Sequence, residues 1–302
     1  MKQSWLKVIA AFFSLALIAA ACGGSDSDSG SSDSASATDN KSEEVIESGS
    51  EAEGDVDTEV EEVVAESSYG GNLTIGLEAE ATGLRPWEDA CSSPCLTMVA
   101  AVYDTLVAIR ADGTVGPWLA SDWSSNADFT EWTFNLVDGV EFHNGNPFTA
   151  QTLVDMFPMQ QIGAAAAGIV SAAGLTEVVA VDDTTVKYVL SSAHSAFPSF
   201  LIQPPLGAPF DPVAASEDMD GYSMNPIGTG PFMVENRDLD NETLLVRNPN
   251  YWMNDADGNQ LPYLDSVSFR PIPDEGTRLD SLLSGTTDAM QTLRQGTIRD
   301  AR

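Results

Sequence analysis

The sequence predicts a mixed α/β fold. Segments in which apolar and polar residues alternate, such as 73–77, are typical of strands. Segments with apolar residues three or four positions apart are typical of helices. The two kinds of element do not follow one another with a clean βαβ period, and no internal repeat of about 20 to 50 residues is present. The 302 residues are enough for two domains or one large one.

Ordered structure is expected to begin near Tyr69, and alternating apolar residues predict a first strand over 71–77. A long loop containing Pro86 and Pro94 should follow. The spacing of apolar residues then predicts a helix over 96–109.

Two hairpins are predicted in the middle of the chain. In the first, a strand ending at Leu136 turns at 138–139, which is Asp-Gly, and resumes over 140–142. In the second, two apolar stretches flank the Asp-Asp pair at 182–183.

Several further elements complete the prediction. Thr149 can cap the N-terminus of a helix that runs to about residue 159. The alanine-rich segment 163–174 does not specify one element. The rest are a short helix over 195–202, strands over 243–248 and 264–272, and a helix over 274–285 that ends at Gly285.

The formal net charge of −33, from 13 basic and 46 acidic residues, narrows the class of partner. Nucleic-acid binding needs a cationic face, and so does electrostatic binding to an anionic membrane surface. Both are therefore excluded. The charge is compatible with a preference for cationic ligands, but the interpretation we favour is solubility in a salty medium.

Much of the acid lies in residues 23–68. From Ser25 to Ser68 the chain holds fifteen carboxylates and one base, Lys41, with no aromatic residue. Such a segment buries too little apolar surface to offset the entropy of ordering. It is therefore predicted to be a disordered, acidic, Ser/Gly-rich tether.

Residues 1–22 are typical of an export signal. Lys2 and Lys7 precede an apolar run over 8–21, which is short for a membrane-spanning helix, and Cys22 follows three alanines. The segment resembles a bacterial lipoprotein signal, although Ala19 stands where leucine is usual. Cys22 is therefore expected to be lipidated, which would anchor an exported protein at the outer face or periplasmic side of the membrane. The alternative is an ordinary secretory signal with a chance cysteine.

The other two cysteines, Cys91 and Cys95, are predicted to form a disulfide. An exported compartment favours oxidation, and a separation of four residues can bring two Cα atoms within disulfide range. A metal pair is the competing idea, but the only histidines, His143 and His194, belong to unrelated segments.

No motif for catalysis, a cofactor or a metal is found. Residues 228–231, Gly-Thr-Gly-Pro, lack the Gly-Lys-Ser/Thr of a phosphate-binding loop and the third glycine of a dinucleotide fingerprint. No His-Glu-x-x-His or Gly-x-Ser-x-Gly element occurs. Carboxylates are so abundant that a pair of them is no evidence for a catalytic acid/base dyad. We therefore predict no catalytic residue, no cofactor and no enzymatic activity.

Four segments, taken together, resemble one family. Residues 225–252 ("PIGTGPF" to "NPNYW"), 119–157 ("LASDW" to "FHNGNPFTA"), 103–107 ("YDTLV") and 263–290 are similar to the signature of the extracellular solute-binding proteins of family 5. These are the oligopeptide, dipeptide and nickel receptors of ABC transporters. The resemblance covers most of 73–290 in order, and it makes the Gly-Thr-Gly-Pro turn and His143 structural markers.

The resemblance implies a periplasmic-binding-protein-like (type II) fold of two α/β lobes with an extra small α+β domain. By analogy, 69–110 and 193–285 belong to lobe I, 111–192 form the small domain, and 286–302 start the second lobe. Since such receptors are much longer, the second lobe is expected to be truncated.

The implied function is that of the substrate-binding component of an ABC importer. It would capture peptides or a related small solute and deliver them to permease subunits as a monomer, without covalent chemistry. Arg85, Trp87 and Tyr103 are the expected ligand contacts; Trp87 lies in the loop after the first strand, where α/β folds bind ligands. The alternative is an envelope lipoprotein with a protein-interaction or sensing role and no transport.

Overall fold

The structure, a computed structural model, describes residues 69–301. The export signal, Cys22 and the acidic tether lie outside the described residues. The strands are β1 Asn72–Leu77, β2 Val107–Ile109, β3 Val115–Pro117, β4 Ala120–Ser125, β5 Glu131–Leu136, β6 Leu175–Ala180, β7 Thr185–Leu190, β8 Phe232–Asp238, β9 Glu242–Arg247, β10 Ser266–Pro271 and β11 Ala289–Met290. The α-helices are α1 Ser93–Val102, α2 Ala150–Ile162, α3 Ala167–Ala173, α4 Pro204–Gly207, α5 Pro212–Glu217, α6 Met219–Met224, α7 Glu275–Leu283 and α8 Gln295–Asp300, and a 3₁₀ helix covers Phe197–Ile202.

A five-stranded sheet carries the two ends of the described chain. Its strand order is β11-β1-β10-β9-β8. Strand β1 runs parallel to both of its neighbours, with Asn72 opposite Ser266 and Ile75 opposite Ala289, whereas β8, β9 and β10 are antiparallel. The carboxyl ends of β1, β10 and β11 therefore open at the same edge of the sheet.

A separate four-stranded antiparallel sheet, in the order β4-β5-β7-β6, lies between the segments that build the first sheet. Helices α2 and α3 pack against it. Thr149 is the N-cap of α2, and its backbone N–H donates to Thr152 Oγ1 at 3.2 Å. The core of this sheet is aromatic: Phe134 contacts Tyr188 and Phe197 edge to face.

Two sequence predictions are wrong in this region. The strand at 131–136 does not form a hairpin with 140–142; it pairs with β4 and β7 instead. The segment after it closes on itself, because Phe142 N–H donates to Asn146 and Phe148 N–H donates to Val140. The predicted helix over 96–109 ends at Val102 and gives way to β2.

The last residues contribute to the first sheet. The start of a second lobe within 286–302 stays a prediction; in this range β11 joins the same sheet as β1 before α8 begins. The backbone N–H of Gln291 continues this pairing by donating to Gly76 at 2.8 Å. The chain therefore leaves the five-stranded sheet only after Gln291.

Across residues 69–301 no single helix is both long and apolar enough to cross a membrane; one bent pair, α2 with α3, passes on length and composition alone.

Candidate functional site

A cleft of about 620 Å³ lies at the carboxyl ends of the parallel strands β1 and β10. The loop after β1 lines it with Glu78 and Ala79, and the start of α1 contributes Ser92 and Pro94. The opposite side consists of the first turn of α7 and the segment after β11. In α/β folds, ligands bind outside the carboxyl ends of the strands. We therefore take this cleft as the candidate site.

Arg278 holds the floor of the cleft together. This helix residue is 1% exposed. Its Nε donates to the carbonyl of Gln291 at 2.8 Å, and its Nη1 donates to the carbonyls of Ile272 and Pro273. The side chain crosses β1 at Gly76, where a Cβ atom would lie 3.1 Å from Arg278 Cγ. One guanidinium thus connects the residues that directly follow β10 with the residue that directly follows β11.

Glu275 lies beside Arg278 in the first turn of α7. Its Oε1 accepts hydrogen bonds from the hydroxyls of Thr292 and Thr297. Its Oε2 is 3.1 Å from Arg294 Nε and 3.6 Å from Arg278 Nη2. The two threonine hydrogen bonds and the two arginines lower the pKa of Glu275, so that it carries a negative charge at neutral pH.

Asp274 caps the N-terminus of α7. Its Oδ1 accepts from the backbone N–H and the hydroxyl of Thr277, both at 2.8 Å. These bonds lower the pKa of the Asp274 carboxyl. The sequence predicted a helix at this place, and the residues that shape the cleft are its cap and first turn.

The structure places Arg85 away from this cleft. Its Nη2 pairs with Asp89 Oδ1 at 2.7 Å, and its Nη1 lies 3.4 Å from the carbonyl of Met219. The hydrogen bond with Asp89 raises the pKa of Arg85. This half-buried arginine therefore serves an internal ion pair.

The expected ligand contact through Trp87 does not fit its burial. The indole is 2% exposed and stacks on Phe210 with ring centroids 3.7 Å apart. Its carbonyl accepts hydrogen bonds from the N–H groups of Ala165 and Ala166. The neighbouring Gly163 passes so close that a Cβ atom there would lie 2.4 Å from that carbonyl. Trp87 is therefore a core residue that joins the loop after β1 to the segment between α2 and α3.

Tyr103 is likewise buried, and it does not line this cleft. It is 4% exposed, and its hydroxyl donates to the carbonyl of Leu84 at 3.1 Å. Burial raises the pKa of this hydroxyl well above its ordinary value. Neither aromatic residue lines the cleft, because both fill the core under the loop that was expected to present them.

The residue after Tyr103 forms a buried polar cluster that sequence reasoning missed. Asp104 is 5% exposed and accepts four hydrogen bonds. The donors are Trp118 Nε1 at 2.8 Å, Trp252 Nε1 at 3.0 Å, Tyr251 Oη at 3.1 Å and Thr229 Oγ1 at 3.1 Å. Removal from water raises the pKa of Asp104, and the four donors oppose that rise. We call these five residues the Asp104 cluster.

The Gly-Thr-Gly-Pro turn lies against the end of α1. A Cβ atom at Gly228 would lie 2.2 Å from the carbonyl of Val102, and the N–H of Gly230 donates to that same carbonyl at 2.9 Å. Only glycine permits this approach, and it brings Thr229 to Asp104. The turn therefore positions a donor of the Asp104 cluster.

His143 is bound to the same turn through both ring nitrogens. Its Nδ1 accepts from the N–H of Gly228 at 3.3 Å, so the proton lies on Nε2, which donates to the carbonyl of Gly230 at 3.0 Å. Burial lowers the pKa of His143 to about 4. The ring is therefore neutral at pH 7 and acts as a brace.

Cys91 and Cys95 are joined through their sulfur atoms, with Cα atoms 5.0 Å apart. Cys95 lies in α1, and its Sγ is 3.4 Å from the carbonyl of Gly83. The pair thus ties the end of the long loop to the first turn of α1, next to the Ser92 wall of the cleft.

Comparison with known proteins identifies the family to which this chain belongs. Residues 114–301 match the family described as bacterial extracellular solute-binding proteins, family 5 Middle. The chain belongs to this family. It is 34% identical to the nickel-binding periplasmic protein of Escherichia coli (strain K12), over 63% of this chain and 35% of the relative. It is 29% identical to the probable D,D-dipeptide-binding periplasmic protein DdpA of the same strain, over 73% of this chain and 43% of the relative.

A solved structure supports the fold. The ABC transporter-associated periplasmic binding protein DppA from Helicobacter pylori, in complex with the peptide STSA, superimposes with a TM-score of 0.67 at 24% identity. The alignment covers 78% of this chain and 49% of that one. The predicted type II periplasmic-binding-protein fold is confirmed, and the chain spans less than half the length of these relatives.

The comparisons also bear on the predicted functions. The relatives are named as binding proteins, which agrees with a protein of binding rather than covalent chemistry. An envelope lipoprotein without transport receives no support from them. Among residues 69–301, no group of three or more His, Cys, Asp and Glu side chains is placed to hold a metal ion.

Proposed function

We propose that this chain supplies one wall of the ligand site in the substrate-binding component of an ABC importer. The component captures peptides or a related small solute outside the membrane and delivers them to permease subunits. The observation that carries the proposal is the cleft of about 620 Å³ at the carboxyl ends of β1 and β10. It lies where an α/β sheet offers strand ends and helix ends to a ligand.

Unpaired backbone groups at the rim of this cleft can bind a peptide. The carbonyl of Leu77 accepts from Ile272 N–H and ends the pairing of β1 with β10. In the part of the chain that the structure describes, the backbone N–H and C=O of Ala79 make no hydrogen bond. A bound peptide in extended form can pair with such free groups, as it does at an open sheet edge. Two of the similar proteins support the choice of a peptide: DdpA is named as a dipeptide-binding protein, and the DppA structure contains a bound peptide.

Calorimetric titration of the whole gene product with di-, tri- and tetrapeptides tests the proposal. We expect saturable binding with a Kd in the micromolar range or tighter, on the order of −8 kcal/mol. A parallel titration with Ni²⁺ alone is informative because one relative is named as a nickel-binding protein. Binding of Ni²⁺ with no response to any peptide would replace the peptide assignment with a metal cargo.

Anchoring through Cys22 is part of the same proposal. A lipid on this cysteine would hold the receptor near its permease while residues 23–68 allow it to reach outwards. Labelling of cells with a radioactive fatty acid should mark the wild-type protein and leave the C22S variant unlabelled. An equally labelled C22S variant would disprove the anchor without touching the binding proposal.

A further inference from the structure

We propose that the cleft selects ligands carrying a positively charged organic group, an ammonium or a guanidinium, and that Glu78 is the residue that meets it. The inference rests on the proposed function and narrows the ligand class of the same site. Most charged groups of the cleft are already engaged within the protein, and Glu78 is the exception among residues 69–301.

The positive charges that line the cleft are both engaged. Arg278 uses Nε and Nη1 on three backbone carbonyls, and its Nη2 faces Glu275 at 3.6 Å. Arg294, whose side chain is 76% exposed, places its Nε 3.1 Å from the same carboxylate. A ligand carboxylate would therefore have to displace internal partners to reach Arg278. The wall offers an anionic group only Arg294, whose positive charge is already shared with Glu275.

Two of the three carboxylates in the cleft are engaged as well. Glu275 receives two threonine hydroxyls and two arginines. Asp274 receives the N–H and hydroxyl of Thr277. The carboxylate of Glu78 is different: among residues 69–301 it accepts no hydrogen bond and forms no ion pair, although it is half-buried and lines the cleft. An organic cation can form a charge-assisted hydrogen bond with this group.

The N-terminus of α7 also points into the cleft, and a helix N-terminus by itself favours an anion. Here that preference is already satisfied by the chain. The cap is Asp274, and Glu275 occupies the first turn. The helix end therefore presents two carboxylates to the cleft and does not favour an anionic ligand.

The overall charge of −33 draws cations to the whole surface and cannot by itself single out the cleft. A matched control must therefore remove the same charge elsewhere. Glu177 suits this purpose: it is exposed on β6, and no hydrogen bond or ion pair within the described residues uses its carboxylate. The variants E78Q and E177Q each lower the negative charge by one and conserve shape.

The test is calorimetric titration of the whole gene product and both variants at about 0.15 M salt, where charges beyond roughly 8 Å are screened. The probes are the tripeptides Ala-Lys-Ala, Ala-Ala-Ala and Ala-Glu-Ala, each with a free and an acetylated amino terminus. We expect wild type to prefer the most cationic probe. We expect E78Q to lose about fivefold in affinity for the probes that carry an ammonium, the size of a half-exposed charge pair, and to leave the acetylated alanine probe unchanged. E177Q should behave as wild type.

The outcomes separate the two proposals. If E78Q and E177Q change the affinities equally, or wild type binds the acidic probe as well as the basic one, the role of Glu78 is overturned while peptide binding stands. If no probe binds to any of the three proteins, the proposed function itself fails. Thermal melts of both variants show whether they fold, and the half-buried carboxylate of Glu78 has no hydrogen-bond or ion-pair partner within the described residues whose loss would unfold the chain.

Discussion

The Asp104 cluster and the cleft contain the same kinds of residue and use them in opposite ways. In the cluster, one carboxylate that is 5% exposed receives four donors, all from the protein. In the cleft, Glu275 and Arg278 engage each other and their neighbours, but the carboxylate of Glu78 has no partner among residues 69–301. The comparison teaches that residue type does not separate a structural polar site from a binding site. What separates them is whether the chain itself satisfies every polar group.

The largest effect is expected from Asp104→Ala. It leaves the buried donors Thr229 and Tyr251 and two half-buried indole N–H groups without their acceptor, and breaking a buried charged network costs about 4 kcal/mol. Urea unfolding followed by tryptophan fluorescence measures the loss. Asp128→Asn, at an exposed position, is the control and should change stability by less than about 0.5 kcal/mol. An Asp104→Ala loss as small as the control's would show that these hydrogen bonds do not stabilise the fold.

Gly228→Ala should come next, at about 3 kcal/mol, because the new Cβ would lie 2.2 Å from a backbone carbonyl that cannot move aside. The same unfolding experiment applies. Gly168→Ala is the matched control, since Gly168 lies inside α3 with nothing within 4 Å of a Cβ atom. That change should be neutral or slightly stabilising, because alanine favours a helix. Equal losses at both glycines would contradict the close approach at the turn.

In the cleft, Arg278→Met should cost about 2 kcal/mol, because three carbonyls lose their charged donor while the side-chain stem can still pack over Gly76. Arg270→Met removes a more exposed arginine that pairs with Glu242, and it should cost less than about 1 kcal/mol. Denaturant midpoints of the two variants give the comparison. If they coincide, Arg278 does not hold the cleft floor.

The smallest effect concerns pH. The folded-state pKa of His143, about 4, lies below its ordinary value, so the neutral ring stabilises the fold above the ordinary pKa of about 6.5. This contribution is lost as the pH falls towards 4. His143→Gln should therefore lose less stability than wild type between about pH 7.5 and pH 5, whatever its stability at the higher pH. Parallel slopes for the two proteins would show that His143 is not the group that titrates.

Much of the fold could be predicted from local patterns. The strands near 71–77, 243–248 and 264–272, the hairpin at 182–183 and the helix that begins after Thr149 are all present. The failures lie where distant contacts decide. Strand 131–136 pairs with β4 and β7, because these strands build a sheet with an aromatic core around Phe134. The Asp-Gly at 138–139 is typical of a hairpin turn, but the pairing of β5 with β4 and β7 leaves no edge of β5 for the residues that follow this turn.

The candidate site could be predicted less well. Trp87 was expected at a ligand because it lies in the loop after the first strand, where α/β folds bind ligands, yet it stacks on Phe210, which lies far away in the sequence. The cleft depends on the parallel pairing of β1 with β10, whose residues Asn72 and Ser266 stand near opposite ends of the described chain. A local sequence pattern does not predict such a pairing. The sequence therefore contains no indication that Glu78 and Glu275 lie in the same cleft.

The Asp104 cluster also sets an order of events during synthesis. Asp104 meets Trp118 only 14 residues later, but its bond with Trp252 spans 148 residues. Until residues 251 and 252 have been synthesised, the carboxylate lacks at least two of its four donors. The N-terminal half alone therefore lacks the stability that the complete cluster provides. That stability is gained only when the Asn-x-x-Tyr-Trp segment at 248–252 has been synthesised.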